Sequence, residues 1–577
     1  MIQGLRTPSA GIEHSPLYAV DLAPVPEIQR TWNTWNLAAV WVGMATSIPT
    51  YILASYMIKD GLNWLEALAI ILLANLIVTV PMTLNGHAGV KYRVPFAVLG
   101  RAPFGTVGVH VPALVRALVA CGWFGVQTWI GGLAIYVIAC TLSAEPVASG
   151  LTTGKFIAFG CSWALTMYFV WSGTESIRIL ETLAAPILIG VGVLLVFWGA
   201  HQGGGFAQVL DQSAQLERPT AHYRADGGVS ISPLQRLEGK WKADSYRIAI
   251  RSELNGSEWH PAVPGALNIS PSEVLKLREG SDSTGAQGEL VAQFRRGESV
   301  STPVLISAAP ASTSQFATWL FWITAMVGFW ATMSISIADI TRFGQSQRAQ
   351  VIGQFLGLPT TMLLYSFVSV FVTCAALIGF EDVLAAEDAP WDPVNLVARF
   401  ENPAVVVATQ LLLFTATLTT NIAANVIAPA NAFANLWPSA INFRRGGLIA
   451  GLIGVMIAPW LLFDRISELL VFVSGLLGPV LGVMLADYYA VRRTRISLRG
   501  LFDPQGPYRY RRGVNPVAMT ALAAGVATAL SGYFVDWLQW LYTASWFSGF
   551  LVSFIFYIVL SKNGAKENGE THVLIDT

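Results

Sequence analysis

Apolar residues along this chain fall in long runs separated by short polar stretches. Twelve runs approach the length of about 20 apolar residues that a helix needs to cross a bilayer core. They are 36–57, 64–85, 108–137, 154–171, 180–200, 315–341, 351–379, 403–431, 446–463, 466–489, 515–533 and 543–561. One segment breaks the pattern. Residues 204–312, between the fifth and sixth runs, are polar, rich in Gly and Ser, and mixed in charge. Within it Tyr246-Arg247-Ile248-Ala249-Ile250 and Glu289-Leu290-Val291-Ala292-Gln293-Phe294 alternate as strands do. The sequence leaves open whether this segment is a small β-rich domain or largely disordered.

Composition agrees with the runs. Of 577 residues 54% are hydrophobic and only 12% charged, against about 25% charged in soluble domains. Lipid is therefore the solvent for most of the chain. The expected fold is an all-α integral membrane protein with 12 transmembrane helices. Net charge is zero, so no global field points to nucleic acid. Cys121, Cys140, Cys161 and Cys374 all sit in apolar runs, which argues against a disulfide framework or a Cys-rich metal site. The first 30 residues are polar, with several prolines and no apolar core, so no signal peptide is expected.

Lys and Arg in short loops set orientation. Lys91, Arg93 and Arg101 follow the second span, Arg178 the fourth, Arg342 and Arg348 the sixth, and Arg444 and Arg445 the eighth. Arg492, Arg493, Arg495, Arg499, Arg509, Arg511 and Arg512 follow the tenth. All lie on one side if both termini are cytoplasmic, and the acidic loop after the seventh span (Glu381, Asp382, Glu387, Asp388, Asp392) then lies outside. The organisation read from this is a cytoplasmic segment 1–35, spans 1–5 over 36–203, an extracytoplasmic insertion 204–312, spans 6–12 over 313–562 and a cytoplasmic tail 563–577, in a cell inner membrane.

Two spans break their own rules. The first contains Gly43-Met44-Ala45-Thr46-Ser47-Ile48-Pro49, where Pro49 removes a donor. The sixth contains Gly328-Phe329-Trp330. They are the first members of two five-helix halves, and interrupted spans at corresponding positions point to a transporter site. Ordinary kinking is the plainer alternative.

Polar residues inside spans supply candidate chemistry. Trp123 and Gln127 are spaced i and i+4 on one face. An indole face suits a flat heterocycle and an amide suits its C=O and N–H edge, although such a Trp is more often packing. Ala416, Thr419 and Thr420 share a face of the eighth span. Two hydroxyls with freed carbonyls would make an oxygen cage for a hard cation; the alternative is that the hydroxyls bond back to their own helix. Asn425 lies about 140° further round and points elsewhere.

Glu66, Arg116, Glu181, Asp339 and Asp487 fall near span ends, and His87 and His110 flank the cytoplasmic side. A proton relay thus lacks an obvious carrier, which favours Na⁺ over H⁺ by elimination. Neither an intramembrane enzyme motif nor a channel filter is evident.

Several segments then read together: Ile48-Pro49-Thr50-Tyr51, Asn85-Gly86-His87-Ala88-Gly89-Val90-Lys91-Tyr92, Gly122-Trp123-Phe124-Gly125-Val126-Gln127-Thr128-Trp129, Gly328-Phe329-Trp330-Ala331-Thr332, Ala423-Ala424-Asn425, and Gly482 through Asp487-Tyr488-Tyr489 to Arg492-Arg493. With them the chain resembles the nucleobase:cation symporter-1 family of uracil, cytosine, purine, allantoin and hydantoin permeases, from about residue 28 to 562 apart from the insertion. The resemblance implies a LeuT-type fold of two inverted five-helix repeats plus two extra helices. It implies a heterocycle held between Trp123 and Trp330, hydrogen-bonded by Gln127 and Asn425, with Ser47 and Phe329 where the family varies with substrate. It also implies a Na⁺ site of carbonyls from Gly43, Thr46 and Ala416 with the Thr419 and Thr420 hydroxyls.

Arg93 stands where the family often has Gly, Ala338 where it often has Pro, and the insertion departs from the family pattern. The expected function is a Na⁺-coupled importer of a small heterocycle working by alternating access. The alternatives are an H⁺-coupled or uncoupled permease, or a transceptor whose insertion senses ligand. The ring and the oligomeric state are not readable from the sequence.

Overall fold

Each of the twelve apolar runs coincides with one or more helices in the computed structural model. The structure describes residues 12–172, 174–213, 220–224, 226–232, 241–262, 267–279, 289–308, 314–437 and 439–567. The side chains of Arg178 and Glu181 and the tail beyond 567 lie outside the described residues. Among the described residues seven helices are long and apolar enough to cross a membrane, or up to nine if each sharply bent pair is one span.

Local chemistry starts these helices cleanly. Asn33 caps Thr34–Ala45 and Asn63 caps Trp64–Tyr92, each closing a reciprocal box with the residue three later, Asn36 and Glu66. Asn402 and Asn515 cap helices that begin with Pro403 and Pro516, where a missing N–H costs nothing. Trp64–Tyr92 ends on Arg93 at φ 64°, the left-handed region that favours glycine. The position the family often fills with Gly is therefore strained here. The strain is offset by an ion pair from Arg93 Nη1 to Glu27 Oε2 at 2.9 Å and by Val25 N–H donating to the Arg93 carbonyl at 3.0 Å.

The first span is two helices, Thr34–Ala45 and Ile48–Lys59, bent by 60°. The sixth is three, Gln315–Phe329, Ala331–Ser336 and Ala338–Thr341. The first and second spans pack on the seventh (Gln347–Gly379), the third (His110–Ser143) packs on the eighth (Pro403–Asn425), and the tenth (Ile466–Leu485) packs on the last (Ser545–Glu567). The second span presses closely on the seventh and on the end of the sixth. A Cβ on Gly86 would lie 2.6 Å from Gln350 Oε1, and one on Gly89 would lie 2.8 Å from Ala338 Cα. That approach lets Asn85 reach the sixth span, where its Nδ2 donates to the carbonyls of Ser334 and Ile335 at 2.9 and 2.8 Å.

The insertion carries two small sheets. One joins β1 (Thr220–Tyr223), β2 (Val229–Ser232), β5 (Leu267–Ile269) and β9 (Ser307–Ala308) in the order β5-β2-β1-β9. The other runs β4-β3-β6-β7 (His260–Pro261, Ser245–Ile250, Leu290–Arg296, Ser299–Val300), with β8 (Val304–Leu305) also on β6. The two alternating stretches seen in the sequence are β3 and β6, paired antiparallel with Tyr246 opposite Phe294. The core of the sheets includes Leu384 and Ala385 from the acidic loop after the seventh span. Buried Lys242 donates to the carbonyls of Leu377, Phe380 and Val383 at the end of that span. Such a cation at a helix C-terminus suits its dipole.

Candidate functional site

The break in the first span follows from its sequence. Thr46 leaves helical geometry at ψ 82° and Ser47 is extended at φ −146°, ψ 156°. Ser47 then caps Ile48–Lys59, with Pro49 in its first turn and the Ser47 and Thr50 hydroxyls 3.0 Å apart. Thr46 is fully buried and, among the described residues, its Oγ1 has no partner. A Cβ built on Gly43 would meet open space. The sixth span breaks at Trp330, with φ −99° and ψ 4°. Trp330 is buried and its Nε1 has no partner.

Aromatic rings connect these breaks to the third span. Trp41 meets Trp330 edge-on at 5.3 Å, Trp330 meets Phe329 at 4.9 Å, and Phe329 meets Trp123 at 5.3 Å. Trp123 and Trp330 are thus linked through Phe329, which stands edge-on to both. One turn on from Trp123, Gln127 is buried and its Oε1 lacks a partner. An amide carbonyl left bare in a lipid-shielded interior costs about 1–3 kcal/mol.

The eighth span supplies the rest. Asn421 Nδ2 donates to the Phe124 carbonyl and to Thr128 Oγ1, both at 3.1 Å, tying the eighth span to the third. Asn425 Nδ2 donates to Asn421 Oδ1 at 3.0 Å. Asn425 is therefore oriented by a neighbour the sequence reading passed over, although the i, i+4 spacing of two asparagines in an apolar helix was visible. This helix ends at Asn425 and restarts as Ile427–Leu436.

The threonines of the eighth span divide. Thr415, Thr417 and Thr419 bond back to the carbonyls of Leu411, Leu413 and Ala416 at 2.8, 2.8 and 2.9 Å. For Thr419 the plainer alternative holds as far as its proton is concerned, and the bond occupies the Ala416 carbonyl expected in the cage. The Thr419 lone pairs remain free to face a cation. Thr420 Oγ1 is buried without a partner. Among the described residues no group of three or more His, Cys, Asp or Glu could hold a metal ion. Any cation here would be held by neutral dipoles.

Two residues near span ends make specific contacts with neighbouring spans and loops. Asp339, read as a span-end carboxylate, accepts the Phe96 N–H at 2.7 Å. Arg116 is 1% exposed, its Nη2 donates to Ser336 Oγ at 2.9 Å, and its Nε and Nη1 have no partner. The window of apolar residues placed it near a span end; packing against the sixth span buries it.

The model of a family described as permeases for cytosine/purines, uracil, thiamine and allantoin matches residues 24–225 and 298–556. The gap between the two matches falls inside the insertion. An allantoin permease of Bacillus subtilis is 31% identical, with 94% of this chain and 92% of the relative covered. A purine-uracil permease of Arabidopsis thaliana is 30% identical, over 95% and 78%. Among solved structures Mhp1, a nucleobase-cation-symport-1 family transporter closed on bromovinylhydantoin, superposes with a TM-score of 0.65 at 22% identity, covering 96% of each chain. A Na⁺-coupled sialic acid symporter gives 0.56 at 11% identity, over 92% and 90%. This chain belongs to the family of permeases for cytosine/purines, uracil, thiamine and allantoin, and it is a membrane transporter rather than an enzyme.

Proposed function

We propose that this permease imports a small planar heterocycle, a nucleobase or a cyclic ureide such as allantoin or hydantoin, together with Na⁺ by alternating access. The observation that carries this reading is a set of buried polar atoms without partners at the two breaks and the faces opposite them. Gln127 Oε1 and Trp330 Nε1 form one group, Thr46 Oγ1 and Thr420 Oγ1 the other. Buried polar groups are almost always paired, and although unpartnered atoms occur elsewhere among the described residues, these four lie at the breaks or on the third and eighth spans, where a ligand would supply the missing partners.

In this reading the ring stacks between Trp123 and Trp330. Gln127 and Asn425 pair with its C=O and N–H edge, and Ser47 and Phe329 shape the walls. Na⁺ takes oxygens from Gly43, Thr46, Ala416, Thr419 and Thr420. Each group draws one member from a broken span, Trp330 from the sixth and Thr46 from the first, so in this reading each ligand orders backbone at a break. Reciprocal coupling of about 1–3 kcal/mol follows. The relatives named as allantoin and purine-uracil permeases, and the solved transporter closed on bromovinylhydantoin, support the substrate class. The sialic acid symporter, described as Na⁺-coupled, supports the ion.

The breaks in the first and sixth spans, each the first of five, support two inverted repeats followed by two further helices. Basic loops on one side support cytoplasmic termini in a cell inner membrane, with 204–312 outside. Proteoliposome uptake of labelled uracil, cytosine, hypoxanthine, allantoin and benzylhydantoin, in Na⁺ and with Na⁺ replaced by choline, tests the reading. Accumulation of one ring that collapses in choline is expected. Uptake that ignores Na⁺ but follows a pH gradient would hand the coupling to protons, and no uptake of any ring would remove the substrate class.

A further inference from the structure

Arg116, Ala120, Trp123 and Gln127 follow one another at i, i+4, i+7 and i+11, so all four lie on one face of the third span. Arg116 sits seven residues before Trp123, roughly 10 Å along the axis. The facing sixth span repeats the interval. Phe329 meets Trp123, and Ser336, seven residues later, meets Arg116. The seam between the two spans thus has an aromatic station and, about two turns away, a cationic one. With cytoplasmic termini the third span begins on the cytoplasmic side, so Arg116 lies between the aromatic site and the cell interior.

A guanidinium carries five N–H donors and no acceptor, and it stays charged. Buried at 1% exposure, this one makes, among the described residues, a single oxygen contact, to Ser336 Oγ, plus a long one at 4.0 Å to Met333 Sδ. The Ser336 hydroxyl gives its own proton to the Thr332 carbonyl and accepts one bond from the guanidinium, so it satisfies a single donor of the five. The charge of the Asp339 carboxylate reaches Arg116, but among the described residues no ion pair joins them, and Asp339 Oδ1 accepts the Phe96 amide. Nε and Nη1 are left bare. A buried cation with unused donors, on the helix face that carries Trp123 and Gln127, is a site in want of acceptors.

We propose that Arg116 is a second station for the permeant, where the guanidinium binds the exocyclic carbonyl oxygens of the heterocycle after it leaves Trp123 and before it reaches the cytoplasm. The inference rests on the heterocycle reading above. Uracil, cytosine, hypoxanthine, allantoin and hydantoins all carry such oxygens, adenine does not, and oxygen acceptors are what the free donors lack. Between passages Ser336 holds the guanidinium across the seam and closes it. Arg116 then favours rings by their carbonyl groups at a step after first binding.

The experiment measures equilibrium binding to purified protein and initial uptake into proteoliposomes, using uracil with 2-thiouracil and hydantoin with 2-thiohydantoin. Sulfur in place of oxygen weakens the acceptor at little change in shape. Arg116→Gln should bind the oxygen ring within about twofold of wild type but take it up about tenfold more slowly, the scale of one lost charge-assisted hydrogen bond. It should also lose the wild type's preference in uptake rate for oxygen over sulfur. Arg116→Lys, which keeps the charge, should recover part of both.

Ser336→Ala removes the competing acceptor and keeps Arg116. It should lower the KM for transport started from the cytoplasmic face while leaving binding from outside unchanged, and it serves if Arg116→Gln does not fold. Wild-type rate and preference in Arg116→Gln, parallel loss of binding and uptake, or an unchanged inside KM in Ser336→Ala would each overturn the proposal. If the wild type binds none of the rings, the failure belongs to the heterocycle reading instead.

Discussion

Two asparagines on the second span, Asn75 and Asn85, make a controlled pair. Both are buried, at 0% and 4% exposure. Asn85 Nδ2 donates to the carbonyls of Ser334 and Ile335 in the last turn of Ala331–Ser336, where a helix end leaves carbonyls without backbone partners. Asn75 Nδ2 donates to Ile71 O within its own helix, a carbonyl already in the regular ladder, and Asn75 Oδ1 is unpartnered. Leucine has nearly the same volume and no polar atom. Asn85→Leu therefore removes two hydrogen bonds and strands two buried carbonyls that water cannot reach. At about 1–3 kcal/mol for each stranded group the cost is about 2–4 kcal/mol, allowing for relaxation.

Asn75→Leu exchanges one redundant bond and one orphaned oxygen for apolar contact, and should lie within about 1 kcal/mol of wild type or be stabilising. Thermal inactivation of the detergent-solubilised protein, followed by size-exclusion profile, reads the two side by side. Ligand binding should weaken in Asn85→Leu alone, because the carbonyls lie just beyond the Trp330 break. Equal midpoints for the two variants would refute the reasoning that the asparagine acts by capping the broken sixth span.

Thr420→Val should abolish Na⁺ stimulation of substrate binding more completely than Thr419→Val, since only Thr420 Oγ1 is wholly uncommitted; equal stimulation in wild type and both variants would move the ion elsewhere. Arg93→Gly trades a half-exposed ion pair for relief of a left-handed backbone worth about 1–2 kcal/mol, so the melting temperature should stay level or rise. In a background lacking Cys121, Cys140, Cys161 and Cys374, a cysteine placed at exposed Asn255 should react with an impermeant thiol reagent in intact spheroplasts; labelling only after lysis would invert the topology.

What the sequence disclosed was local. Pro49 and the Gly-Phe-Trp triplet marked the breaks at Thr46–Ser47 and at Trp330 because a missing donor or a glycine acts within one turn. Alternation disclosed β3 and β6 for the same reason. The residues that hold the breaks in place stayed hidden, because their partners are remote. Asn85 reaches carbonyls 249 and 250 residues away, and Asn421 reaches one 297 residues away. Arg116 stands near a span end as the sequence placed it, but its burial was not legible there, because burial is set by the remote sixth span that packs on its side chain. The run 315–341 showed its break at Trp330 but gave no sign of the second, since Ile337 separates the last two helices without any Gly or Pro.

The central claim is that a flat ring binds between Trp123 and Trp330. Calorimetric binding of whichever ring the wild type accumulates, to wild type, Trp123→Ala and Trp330→Ala in saturating Na⁺, tests it most directly. Each stacking face should be worth about 1–3 kcal/mol, so each variant should bind about 5- to 150-fold more weakly while eluting as a folded monodisperse peak. Unchanged affinity in either folded variant would contradict the account.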